Sequence, residues 1–97
     1  MPQQDGDVYE LLVQIAKALV DEPDLVTVEA IDGPECTVLE LRVCQRDLGK
    51  IIGKQGRTAR SLRTIIGAAS MKVHKRHQLE IIEDGLPAGA GQQSAQA

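Results

Sequence analysis

The sequence predicts an α+β domain, a three-stranded sheet with helices packed on one face, on three observations. Apolar residues recur at helical spacing after Asp7 and after Arg57, and they alternate in period two over 25–31, 37–44 and 78–83. Turn signals separate these segments: Pro23, then Asp32-Gly33-Pro34, then a glycine-rich stretch at 49–56. The chain has 97 residues, enough for one domain with a modest core and no cross-links.

The first helix is predicted to start at Asp7, a good N-cap, with Glu10 three residues on in a capping-box pattern. Val8, Leu11, Leu12, Ile15, Ala16, Leu19 and Val20 form its apolar face, and Asp21, Glu22 and Pro23 end it. Leu25 to Ile31, rich in β-branched residues, reads as a strand, and Thr37 to Cys44 as its hairpin partner, with Leu39, Leu41 and Val43 inward. Asp47 is predicted to cap a short helix holding Leu48, Ile51 and Ile52. A longer helix starts at Arg57, with Ala59, Leu62, Ile65, Ile66 and Ala69 buried and Arg57, Arg60, Arg63 and Thr64 exposed, fading near Met71 to Val73. His74-Lys75-Arg76 forms a polar turn, and Gln78 to Glu83 a last strand with Leu79 and Ile81 inward. Residues 1–6 and 85–97 are expected to be disordered flanks, since the tail GLPAGAGQQSAQA offers almost nothing to bury. The ordered domain is then 7–84.

Composition narrows the function. Tyr9 is the single aromatic, so the core rests on 10 Leu, 8 Ile and 8 Val, and modules that stack bases on aromatic rings lose their main contact. No apolar run approaches the ~20 residues of a membrane span, so no membrane partner is expected. The polar, acidic start does not read as a signal peptide. Cys36 and Cys44 lie roughly 26 Å apart along one extended segment, too far for a disulfide, and lack zinc-site spacing; free thiols fit a cytoplasmic protein. His74 and His77, beside cations in a turn, are expected on the surface. No carboxylate pair or nucleophile–base set gathers near the loop, so neither catalysis nor a cofactor is expected.

Charge is sharply segregated. The net charge is −3, yet residues 1–41 set Lys17 against ten acids, while residues 42–76 set ten cations against Asp47. The basic block is a candidate footprint for a polyanion.

Inside it lies Gly49-Lys50-Ile51-Ile52-Gly53-Lys54-Gln55-Gly56-Arg57. Glycines at both corners, Gly53 and Gly56, free the backbone and leave no Cβ in a ligand's way. Arg57 opens a helix whose N–H groups and dipole favour an anion, and Lys54 adds charge at the loop tip. A nucleotide-hydrolysing P-loop does not fit: only three residues separate Gly49 from Gly53, and Gln55 replaces the magnesium-binding hydroxyl. Gly-x-x-Gly alone also serves ordinary helix–helix turns. The aliphatic pair before it and the basic helix after it make a narrower signal.

Ile52-Gly53-Lys54-Gln55-Gly56 between two helices resembles the signature loop of a KH domain, which clamps about four nucleotides of single-stranded nucleic acid. The element order, αββααβ, resembles the bacterial type II arrangement. Over 7–84, including Leu39-Glu40-Leu41-Arg42-Val43 and Leu48 to Arg57, the chain is similar to the small bacterial single-KH RNA-binding proteins of the KhpA (YlqC) family. The resemblance implies that Gly53, Lys54, Gln55 and Gly56 hold the RNA backbone. Bases would lie in an apolar groove walled by Ile52, Ala59 and Leu62 with the second strand opposite, and Lys50, Arg57, Arg60 and Arg63 would attract phosphates. Ala59 stands where the general KH pattern favours a large aliphatic residue, a departure that bears on groove depth. The resemblance further implies RNA chaperoning or post-transcriptional regulation linked to cell elongation and division. It implies a homodimer, or a heterodimer with a KhpB (Jag) type KH protein. The alternative is a dimerisation scaffold, with contacts for example at the ribosome.

Overall fold

The computed structural model describes residues 4–83. In chain order it contains α1 (Gln4–Leu19), β1 (Thr27–Asp32), β2 (Cys36–Arg42), α2 (Leu48–Ile52), α3 (Arg57–Val73) and β3 (Arg76–Ile81). Single 3-10 turns occupy Pro23–Leu25, Gln45–Asp47 and Lys54–Gly56. The predicted αββααβ order holds. The tail 85–97 lies outside the described residues.

β2 is the central strand. It pairs antiparallel with β1, as the hairpin signal requires, and parallel with β3, which the sequence did not reveal. A parallel neighbour needs a long crossover, and α2 with α3 supplies it. The register aligns Val28, Leu41 and Ile81 in one row and Ala30, Leu39 and Leu79 in the next; all but Ala30, exposed on the edge strand, are buried or partly buried under the helices. α1 packs on β1 and α3 along β3, with α1 and α3 touching between them, so the helices cover one face. The core they close includes Val8, Leu12, Ala16, Leu39, Leu41, Ile51, Leu62 and Ile66. Each of these Val, Leu and Ile side chains, fully buried, contributes roughly 1.5–3 kcal/mol. Tyr9 ties α1 to the sheet, its hydroxyl donating to the Val28 carbonyl at 2.9 Å.

Several expectations are corrected. α1 begins by Gln4, so the Asp7–Glu10 pair lies within the helix rather than at its cap, and residues 4–6 belong to it. Acidic side chains favour any position in a first turn, which makes that signal imprecise. Leu25 sits in a 3-10 turn and is 53% exposed, so the first strand starts two residues later. β2 stops at Arg42 and β3 starts at Arg76 rather than Gln78. On α3 the buried stripe is Ala59, Leu62, Ile66, Ser70 and Val73, while Ile65 is 42% exposed. Ser70 is accommodated because its hydroxyl donates to the Ile66 carbonyl at 2.9 Å. His77 is buried, not superficial: in β3 it alternates inward with Leu79. Its Nδ1 lies 2.7 Å from the Lys75 carbonyl, and its backbone N–H donates to Ser70 Oγ at 3.1 Å.

Candidate nucleic-acid interface

α2 ends at Ile52, and the chain reverses through the loop before α3. Gly53 takes φ 77°, ψ 172°, a region essentially closed to residues with a Cβ. A Cβ built there would lie 2.2 Å from Thr58 Oγ1 and 2.8 Å from the Thr58 nitrogen, so the first loop glycine is required twice over. Gly56, at φ 74°, is constrained by its backbone alone, since a Cβ there meets nothing within 4 Å. Between them Gln55 is also left-handed, at φ 57°. The Gly53 N–H closes α2 on the Gly49 carbonyl at 2.8 Å, and the Gly56 N–H bonds to the Gly53 carbonyl at 3.0 Å. The result is a tight corner with Lys54 and Gln55 exposed at its tip and the first turn of α3 directly behind.

The cations divide into two groups. Arg42 lies 3.9 Å from Glu29 and 3.6 Å from Glu40, Arg46 3.6 Å from Glu22, and Lys50 3.3 Å from Asp21 and 3.8 Å from Asp47. Lys75 bonds to Asp32. By contrast, Lys54, Arg57, Arg60 and Arg63 are exposed and form no ion pair with a described acid. The acidic half of the chain thus neutralises part of the basic half, and the remaining positive charge lies at the loop, along α3 and at Arg76 at the start of β3. On the opposite, uncovered face of the sheet, Glu29, Glu40 and Glu80 stand side by side in register. The molecule therefore carries a basic helical face and an acidic sheet face.

Of the residues singled out from the sequence, Gly53, Lys54, Gln55, Gly56 and Arg57 lie contiguously in the corner. Arg60 and Arg63 continue from it along the exposed side of α3 at one-turn spacing. Lys50 sits one turn before the loop but is held by Asp21 and Asp47, partners it must leave to meet a phosphate. Ile52 is half-buried and adjoins Gly53, whereas Leu62 and Ala59 are buried in or against the core, so of the three expected wall residues Ile52 keeps the most accessible surface. The strand beside α3 is β3, not the second strand, because the parallel pairing places β3 at the sheet edge under α3.

Asp47 was expected to cap α2. Its carboxylate makes no such cap. It is buried, at 1% exposure, and Oδ2 accepts the Glu22 backbone N–H at 2.9 Å, clasping the turn after α1 to the start of α2. Thr58, in the first turn of α3, is the residue that sequence reasoning missed. Its signal was only its place two residues after the second glycine, which says nothing about closeness to Gly53. Among the described residues no group of three or more His, Cys, Asp and Glu converges to hold a metal, and no helix is long and apolar enough to cross a membrane.

A three-stranded mixed sheet covered by three helices, with a two-glycine corner joining α2 to α3, defines a KH domain in the type II order. The chain belongs to the KhpA/KhpB KH-domain family, whose model matches residues 9–81. It is 50% identical over 78 residues to an RNA-binding protein KhpA of Borreliella burgdorferi, covering 80% of this chain and 95% of that one. It is 53% identical over 77 residues to an RNA-binding protein KhpA of Aquifex aeolicus, covering 79% and 94%. It is 52% identical over 73 residues to an RNA-binding protein KhpA of Caldanaerobacter subterraneus, covering 75% and 97%. No solved structure shows a significant match.

Proposed function

We propose that this chain is an RNA-binding protein that holds single-stranded RNA with low sequence specificity at the Gly53-Lys54-Gln55-Gly56 corner. The observation that carries this reading is the coincidence of that corner with Lys54, Arg57, Arg60 and Arg63, four exposed cations that no described acid neutralises. The relatives' name, RNA-binding protein KhpA, supports it. In this reading the loop backbone and the first turn of α3 meet the sugar-phosphate chain, and Arg57, Arg60 and Arg63 supply long-range attraction. Bases lie between the Ile52 side of the corner and the edge strand β3. Phosphate contacts position the strand without reading sequence, and one small groove reads little. No catalytic step and no cofactor enter.

The reading extends to a cytoplasmic RNA chaperone or post-transcriptional regulator linked to cell elongation and division. It gains avidity as a homodimer or with a KhpB (Jag) type partner. A scaffold role is favoured by one observation, the exposed Ile65 on α3, an apolar residue suited to a protein contact. The deciding experiment is Lys54→Asp with Gln55→Asp. Both side chains are exposed and Asp tolerates the left-handed conformation at position 55, so the fold is retained while RNA binding is lost in a gel-shift assay. Unchanged binding refutes the site. Sedimentation of an Ile65→Lys variant tests the scaffold reading, which expects dissociation with RNA binding retained.

A further inference from the structure

We infer that the cleft between the last turns of α3 and the start of β3 is a second RNA subsite. It takes an unpaired base and its phosphate from the same strand that the glycine corner holds. The inference rests on the RNA-binding reading above and adds a place the strand reaches beyond the corner.

Arg60, Arg63, Gly67, Met71 and His74 recur at three- and four-residue spacing and are all exposed, so they form one stripe down α3. The stripe starts at the glycine corner. About 25 Å further on, at 1.5 Å per residue, it ends in a cleft of about 590 Å³ lined by Gly67, Ser70, Met71 and residues 74–77. That volume falls within the ~300–1,000 Å³ of small-ligand sites. The lining includes the exposed Arg76, two histidines and Lys75, whose ammonium bonds to Asp32 outside the cleft, and no carboxylate.

Three features suit it to a nucleotide. In a chain with a single aromatic, His74 and Arg76 are flat groups able to stack on an unpaired base, and both are exposed here. Met71, 76% exposed, adds a polarisable apolar wall. Gly67 leaves the wall open: a Cβ built there meets nothing within 4 Å, so no packing constraint calls for glycine in mid-helix. The floor is rigid. Ser70 Oγ and the Lys75 carbonyl both engage His77, and the His74 N–H caps the Met71 carbonyl. His74 itself sits at φ 59°, ψ 33°, where a helix end usually places glycine. The chain keeps an imidazole at that corner instead. Continuity with the arginine stripe, and Arg76 with no described acid beside it, select a nucleic acid strand over a protein segment as the occupant.

The test is fluorescence anisotropy of the full chain with labelled single-stranded RNAs of about four and about twelve nucleotides. The longer RNA is expected to bind at least roughly tenfold more tightly, the gain of one stacked base. Gly67→Phe, which fills the cleft, and the double variant His74→Ala with Arg76→Ala are each expected to remove most of that gain. Both should leave the short RNA's affinity unchanged within about twofold. Circular dichroism monitors the fold; should Gly67→Phe unfold, the exposed His74 and Arg76 pair carries the test. A 4-thiouridine in the longer RNA is expected to crosslink to the segment Met71–Arg76. A long-RNA affinity untouched by these variants overturns the subsite, as does equal loss on both lengths or a change confined to sedimentation. Lys54→Asp with Gln55→Asp read on the short RNA separates the two proposals: an unaffected short RNA refutes the corner whatever the cleft does.

Discussion

Arg60→Gln tests the electrostatic sorting that the structure imposes on the basic block. Arg46 faces Glu22 at 3.6 Å, whereas Arg60 stands exposed on α3 with no described acid beside it. A phosphate docking on an open cation releases a condensed counterion, while one that displaces an internal carboxylate gains much less. Lys54, Arg57, Arg60 and Arg63 supply four open contacts. At ~0.7 counterions per contact on a single strand, the log–log slope of affinity against salt is about −2.8, roughly a fiftyfold loss between 50 and 200 mM. Arg60→Gln should lower the slope to about −2.1, and Arg46→Gln should leave it near −2.8. The assay is filter binding to one single-stranded RNA over a salt series, with thermal melts confirming that both variants fold. Equal slopes for the two variants would refute the sorting, and a slope near zero for the parent would refute phosphate contact altogether.

Gly53→Ala adds both a forbidden backbone conformation and a collision with Thr58, so urea unfolding should show a loss of about 3 kcal/mol. Gly56→Ala carries only the left-handed penalty, about 1 kcal/mol. Asp47→Ala strands the Glu22 N–H and should cost about 2 kcal/mol in the same assay, with Asp47→Asn milder because an acceptor remains. The Lys75 ammonium, and after it the Thr37 hydroxyl, hold the Asp32 carboxyl below its ordinary value. Its folded-state pKa is therefore lower than its unfolded one. The stabilisation is present above the ordinary carboxylate range, about pH 4, and is lost as pH falls through the lowered value. Asp32→Asn should flatten the acid limb of a melting-temperature profile between about pH 5 and 2, and an unchanged limb would exclude this pair as a contributor.

Much of the fold was legible because it follows from short-range periodicity. The β1–β2 hairpin could be read from alternation plus Asp32-Gly33-Pro34, and α3 from its apolar spacing. Ile65 shows the limit: it fits the helical stripe as well as Ile66 does, yet only the placement of α1 and β3 decides which flank of α3 is covered. His77 shows another. Its neighbours His74, Lys75 and Arg76 read as a polar turn, but starting β3 at Arg76 turns the ring inward beside Ser70. Asp47 fitted a cap by position, and its carboxylate instead found a backbone partner 25 residues back.

The glycine corner, the helix that follows it and the block of cations around it are written in the order of the residues. Backbone freedom, capping tendency and formal charge are local properties, and no folding is needed to see them. Which cations remain open is not local. Arg46 and Lys50 are neutralised by Glu22 and Asp21 in the turn after α1, and Lys75 by Asp32, 43 residues away. Charges so distant in the chain meet only after the sheet has paired and the helices have closed over it. In the proposed reading the sequence marks where a strand of RNA is held, and the packed structure leaves the loop and one side of α3 open to it.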